Sequence, residues 1–219
     1  ILLGGRSDYT PQELAPLNIP YVCCSYDNQY GTLPPDSYAS VSIADEEEAC
    51  RAVTELYHCG HRRIAALVSG TEDRSISQLR YQGYVRALAA HGLPLEQELV
   101  IEAGSFDIRQ SYLAMQRRLL AGAQFTALFA ISDNMAIGAM RALREAGRRI
   151  PEDCSVIAID GLTVSDYINP TLTTLCQPME HMGRRSVEIL LDMVEHRGGP
   201  IRETAHTTLR TGESVRDIS

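Results

Sequence analysis

Phe125-Thr126-Ala127-Leu128-Phe129-Ala130-Ile131-Ser132-Asp133-Asn134 is a short apolar run that stops abruptly at a Ser-Asp pair, where a helical pattern begins. Ser155-Val156-Ile157-Ala158-Ile159 repeats the construction and stops at Asp160-Gly161. Continuous apolar runs of this length, alternating with amphipathic helices, indicate strands of a parallel sheet covered on both faces. In such sheets ligands sit beyond the carboxyl ends of the strands. Asp133 and Asp160 are therefore expected to line one crevice.

The same alternation extends outward in both directions. Residues 46–59 carry Ala49, Val53, Leu56 and Tyr57 on one helical face, stop at Gly60, and lead into a strand over 63–68. Tyr81, Tyr84, Val85 and Leu88 form the next stripe, ended by Gly92 and followed by a strand at 99–101. Tyr112, Met115, Leu119 and Leu120 stripe a helix over 109–121 that stops at Gly122, and Met135, Ala139, Met140 and Leu143 stripe one that stops at Gly147. Glycine just past a helix takes the left-handed conformation at little cost, which makes it a stop signal. Four helix–glycine–strand units predict one doubly wound α/β lobe over about 45–176. Smaller pieces flank it: a strand at Ile1–Gly5, a short helix near Gln12–Leu17, a strand at Tyr21–Cys24, and a helix from about Pro178 to His196. These read as parts of a second lobe. The chain opens on Ile1-Leu2-Leu3-Gly4-Gly5 without an initiator Met, which is the signature expected of a fragment.

A chain of 219 residues buries roughly 70–75% of its unfolded surface and needs neither disulfides nor metal to hold a core. Against 28 Asp and Glu stand 20 Lys and Arg, a net charge of −8, which argues against this chain by itself wrapping nucleic acid. Cys23, Cys24, Cys50, Cys59, Cys154 and Cys176 lack the close pairing of a zinc site or a disulfide scaffold and fit a reduced, cytoplasmic protein. His58, Cys59 and His61 are close in sequence but straddle the Gly60 stop, so no metal site is expected. No run is apolar and long enough to span a bilayer, and no signal peptide is visible. Nucleophile elbow, Walker loop and dinucleotide fingerprint are absent, so no enzyme activity and no cofactor are expected. The run Asp45-Glu46-Glu47-Glu48 suits a helix amino terminus, where negative charge is favourable.

Five segments carry a more specific signal: Gly60-His61-Arg62-Arg63-Ile64, Gln78-Leu79-Arg80-Tyr81-Gln82-Gly83-Tyr84, Ser132-Asp133-Asn134-Met135-Ala136-Ile137-Gly138-Ala139, Ile150-Pro151-Glu152-Asp153-Cys154-Ser155-Val156-Ile157, and Pro170-Thr171-Leu172-Thr173-Thr174-Leu175-Cys176-Gln177-Pro178. In that order and spacing, over almost the whole chain, they resemble the effector-binding module of the lac repressor/galactose repressor family of bacterial transcription regulators. The resemblance implies two doubly wound parallel-sheet lobes of periplasmic-binding-protein type, the first incomplete: a first lobe from 1–44 and 177–205, a second from 45–176 and 206–219. It also implies a small molecule, a sugar, held between the lobes, control of an operator-binding helix-turn-helix head lying outside this chain, and a homodimer when full length. The competing function of this architecture is the solute-binding protein of a sugar importer.

Six residues are expected to touch the ligand. Arg80 precedes the stripe of Tyr81, Tyr84, Val85 and Leu88, so its guanidinium is free to project from a helix start, where a planar fork of donors suits adjacent hydroxyls or a carboxylate. A surface arginine is the ordinary alternative, and the resemblance marks the position as a principal ligand contact. Asp160 ends a strand before a glycine, where it either accepts from ligand hydroxyls or caps the following turn. Ser132 and Asp133 compete to cap the next helix; the resemblance gives Ser132 a ligand contact and leaves Asp133 structural. Phe106, one of three Phe in a chain without Trp, follows a strand end and suits stacking on a sugar face. Gln177 offers a donor and an acceptor at a chain crossing, and Ser25 stands where sugar-binding relatives often carry Asp.

Overall fold

The structure, a computed structural model, describes residues 1–4 and 6–219. Its elements run β1 (Leu2–Leu3), α1 (Pro11–Leu14), β2 (Val22–Cys24), β3 (Ala39–Ile43), α2 (Asp45–His58), β4 (Ile64–Val68), α3 (Ile76–Ala90), β5 (Val100–Glu102), α4 (Ile108–Leu120), β6 (Ala127–Ala130), α5 (Asp133–Glu145), β7 (Ser155–Asp160), β8 (Thr173–Cys176), α6 (Met179–Val194), β9 (Arg202–Ala205) and β10 (Thr208–Arg210). They fall into two compact units, the first Ile1–Ala44, Arg74–Ile76 and Gln177–Thr207, the second Asp45–Asp73, Ser77–Cys176 and Thr208–Ser219.

The first unit holds a parallel sheet in the order β1-β2-β3-β9. The strand expected at Ile1–Gly5 is limited to Leu2–Leu3, and Gly5 lies outside the described residues. A cluster of Cys23, Tyr26, Leu33 and Tyr38 forms its core, with Tyr9, Leu14 and Ile76 packed around it. Helix α6 lies on β2 and β3 and buries Met182, Ser186 and Ile189.

The second unit is the doubly wound lobe. Its sheet runs β10-β8-β7-β6-β4-β5, every pairing parallel except the antiparallel edge of β10 on β8. All residues of β4 and β6, and all of β7 up to Asp160, are buried. Because successive side chains point to opposite faces, this requires cover on both sides of the sheet, and the apolar runs predicted it.

Two of the expected helical stripes are displaced. On α3 the buried side chains are Ser77, Leu79, Arg80, Tyr84, Ala87 and Leu88, whereas Tyr81 and Val85 are only half-buried. Aromatic size misled the reading: Tyr81 stacks on Tyr84 at the rim, and the true face contains a charged residue and Gly83. On α4 the buried residues are Ser111, Ala114 and Met115, and Leu120 is 83% exposed. Small residues face inward there because α4 meets α5 at Gly138, where a Cβ would stand 2.2 Å from the Ile108 carbonyl oxygen. The stripe of Met135, Ala139, Met140 and Leu143 on α5 is buried as expected.

Candidate functional site

Arg80 does not precede a helix, as the sequence suggested, but is the fifth residue of α3, on its buried face and only 3% exposed. What brings it inside is Gly83, one turn further on. A Cβ at Gly83 would stand 2.2 Å from the Glu46 carbonyl oxygen and 2.7 Å from Ala49 Cβ, so glycine lets α3 lie directly against the first turn of α2. Across that contact Arg80 Nε donates to Asp45 Oδ1 at 2.8 Å, and Nη1 donates to the Ile131 carbonyl, just past β6, and to Asp160 Oδ1 at 3.3 Å at the end of β7. One guanidinium therefore ties together a helix start and two strand ends. Gly83→Ala is expected to cost about 1–3 kcal/mol, the usual price of overpacking, read as a lower urea midpoint; an unchanged midpoint would show that the two helices can part without loss.

Asp45 is the site residue that the sequence reading missed. The acidic run opens α2, as expected of a helix amino terminus, but Asp45 is 4% exposed and is the member of the run that pairs with Arg80. Its signal was strand β3, Ala39-Ser40-Val41-Ser42-Ile43, whose serines disguise a fully buried strand. Had β3 been recognised, Asp45 would share with Asp160 the position of an acid just past a strand. Burial pushes the Asp45 carboxyl up from its ordinary value, and the Arg80 charge pulls the other way. For Arg80 desolvation acts downward, but the Asp45 and Asp160 carboxylates outweigh it and hold the guanidinium charged.

Asp160 is the member of the trio that reaches solvent, with a side chain 20% exposed. It carries φ +145°, an angle costly for any residue with a Cβ. The next residue must be glycine, since a Cβ at Gly161 would stand 2.5 Å from Cys176 Sγ. Asp133 holds this turn from beneath. It is fully buried rather than lining a crevice: Oδ2 accepts from the Leu162 amide and the Ser165 hydroxyl, each at 2.7 Å, and Oδ1 from the Thr174 hydroxyl at 2.6 Å. A carboxylate with three buried donors is a structural anchor. The expectation for its neighbour is also resolved: the Ser132 hydroxyl caps α5 by accepting from the Met135 amide at 3.3 Å, and the side chain is buried.

Phe106 sits in the loop after β5, beyond the same ends of the parallel strands, and is 38% exposed. Among the described residues no ring stacks on it. Ser25 and Gln177 belong to the first unit, where both are half-buried and the Ser25 hydroxyl lies 3.5 Å from Gln177 Oε1. Ser25 holds φ +70°, and its amide donates to the Val41 carbonyl at 2.8 Å. The structure thus joins Arg80 with Asp160 and Ser25 with Gln177, and leaves Phe106 without a direct link to either pair. His61, considered for metal, is buried between the Thr126 and Ser155 hydroxyls at 3.0 and 2.9 Å. Among the described residues no group of three or more His, Cys, Asp or Glu side chains is placed to hold a metal ion, and no helix is long and apolar enough to cross a membrane.

Comparison with known proteins gives this geometry a context. The periplasmic binding protein-like domain matches residues 53–215. The HTH-type transcriptional regulator CelR of Thermobifida fusca is 35% identical over 212 residues, covering 97% of this chain, and the chain spans 60% of that relative's length. Among solved structures, a transcriptional regulator CelR–cellobiose complex superposes with a TM-score of 0.87 at 33% identity, over 97% of this chain and 64% of that one. A sugar-binding transcriptional regulator of the LacI family from Escherichia coli, complexed with phosphate, superposes with a TM-score of 0.77 at 30% identity, over 90% of this chain and 69% of that one. The chain belongs to the periplasmic binding protein-like domain family, among the effector-binding modules of LacI-family transcription regulators.

Proposed function

We propose that these residues form the ligand-sensing core of a bacterial transcription regulator that binds a sugar and controls an operator-binding helix-turn-helix head lying outside them. The observation that carries this reading is the buried guanidinium of Arg80, bridging Asp45, the Ile131 carbonyl and Asp160 at the strand ends where parallel α/β sheets take ligands. A donor and an acceptor fixed side by side suit the paired hydroxyls of a sugar, and two solved relatives are a cellobiose complex and a sugar-binding regulator. The relatives named above are transcription regulators, which favours sensing over transport. Phe106 is proposed to stack on the ligand, Ser132 to contact it through its hydroxyl oxygen, and Ser25 and Gln177 to serve as ligand contacts of the first unit. The full-length protein is proposed to be a cytoplasmic homodimer without enzyme activity.

A sensor changes state only if its ligand binds two conformations unequally. Calorimetry on the full-length protein with cellobiose, galactose, ribose and glucose tests the first step. At least one should bind, and Asp160→Asn should weaken that sugar at least tenfold, about 1.4 kcal/mol, without lowering the melting midpoint. Unchanged affinity in a folded Asp160→Asn protein would remove the site from these strand ends.

A further inference from the structure

The turn that presents Asp160 is not built to hold itself. Asp160 at φ +145° and Gly161 at φ +78° carry the chain out of β7 through an unusual backbone, and a short 3₁₀ turn, Thr163–Asp166, follows. Its shape therefore depends on side chains that reach in from other elements. Leu162 is gripped at both of its backbone polar groups: the amide donates to Asp133 Oδ2, and the carbonyl accepts from Arg210 Nη2 at 3.1 Å. Arg210 Nη1 also donates to Asp166 Oδ2 at 3.0 Å, so one guanidinium spans the turn from the residue that opens it to the last.

The arginine comes from β10, which pairs with β8 so that Arg210 stands opposite Thr174. Directly opposed residues of an antiparallel pair share a face of the sheet. On that face the Thr174 hydroxyl accepts from the Gly161 amide at 3.3 Å and donates to Asp133, so Arg210 and Thr174 rise toward the same turn. The chain beneath Arg210 has little room to shift. A Cβ at Gly212 would stand 2.5 Å from the Thr171 carbonyl oxygen, and the Gly212 amide donates to the Thr173 hydroxyl at 3.0 Å. Side chains of Arg210 and Asp166 are 28% and 48% exposed, so water screens their ion pair and it adds little stability. Arg210 Nε is buried with no hydrogen-bond partner among the described residues, which subtracts from that little. What Arg210 contributes is geometry.

We propose that Arg210 is a positioning residue of the sugar site, which fixes the turn from Leu162 to Asp166, and through it the placement of Asp160, without touching the ligand itself. This rests on the sensor reading above and adds a residue to it. A planar fork holds two acceptors at a set separation, which neither an ammonium nor an apolar chain of similar length does. With the fork gone, Leu162 keeps the Asp133 bond at its amide but loses the hold on its carbonyl. Asp160, two residues back, then samples a wider range of positions, and the ligand must order it on binding.

A double-mutant cycle of Arg210→Met and Asp160→Asn tests this, by calorimetry on the full-length protein with whichever of cellobiose, galactose, ribose and glucose the parent binds. Arg210→Met should weaken binding about fivefold, the scale of coupling between neighbouring groups. Its melting midpoint should fall by no more than about 3 °C. In the Asp160→Asn background the same change should weaken binding by less than about twofold, because the contact that Arg210 positions is already lost. If Arg210→Met does not fold, Arg210→Lys, which keeps the charge and loses the fork, takes its place in the cycle. Equal losses in the two backgrounds are what a merely structural arginine gives, and they overturn the proposal. Unchanged affinity in the folded Arg210 variant also overturns it and leaves the sensor reading intact. A parent that binds none of the four sugars overturns the sensor reading, and this assignment with it.

Discussion

Arg80→Ala lowers the stability of the fold by about 3–5 kcal/mol, the scale found when one partner of a buried ion pair is removed and the other stays behind. The cost comes from Asp45, 4% exposed and 2.8 Å from Arg80 Nε, which is left as a buried charge with its counter-ion gone, and from the Ile131 carbonyl, which loses a donor. Without Arg80, Asp45 relieves its burial by holding a proton. Its folded pKa, already raised by burial, then rises further above the unfolded value of 3.8. The sign follows: the folded state binds the proton more tightly than the unfolded one, so the variant's stability falls as pH rises through that window and recovers toward acid. Urea melts at pH 7 and pH 5 should show the larger deficit at pH 7. A deficit below about 1 kcal/mol at pH 7 would mean that the trio is not held as a buried network. The same argument bears on binding assays, because loss of affinity in Arg80→Ala mixes a lost ligand contact with a damaged fold. Asp160, partly exposed, is the cleaner probe.

Asp133→Ala should cost about 3–4 kcal/mol by a different route, since each buried donor left without a partner costs about 1–3 kcal/mol. Three donors converge on Asp133: the Leu162 amide and the hydroxyls of Ser165 and Thr174. The hydroxyls can turn to other acceptors and recover part of the loss, whereas the Leu162 amide cannot. Because Leu162 follows Asp160-Gly161 directly, the variant should also loosen the turn that presents Asp160. Faster amide exchange at Leu162, together with weaker sugar binding, would report this. A variant as stable as the parent, or one with an equally protected Leu162 amide, would show that the turn is held by something else. Together with Gly83→Ala, these changes separate packing, charge and hydrogen-bond contributions to one site.

Length of apolar run and glycine punctuation made the second unit readable. Ile64–Val68, Ala127–Ala130 and Ser155–Asp160 are strands because their residues are apolar on both faces, and α2 to α5 end where glycines allow a left-handed residue. Strands with polar content were harder. Ala39–Ile43 carries two serines, Thr173–Cys176 two threonines and Arg202–Ala205 an Arg and a Glu, and none of these announces a strand by hydrophobicity. Neighbouring strands supply their hydrogen bonds, a cause that lies far away in sequence.

For the site, residue types and positions at strand ends were determined by the sequence itself: Asp160 before Gly161, Ser132 as a cap, and Arg80 within the segment that pointed to the family. Tertiary structure decided what those groups are bonded to. Asp133 and Asp160 look alike as acids after apolar runs, yet one is an anchor with three donors and the other reaches solvent. Asp45 looks like its acidic neighbours, yet of that run it is the one that pairs with Arg80. The physical reason is that burial and partnership set the energy of a charged side chain, and both depend on residues 35 to 80 positions away that only folding brings within 3–4 Å.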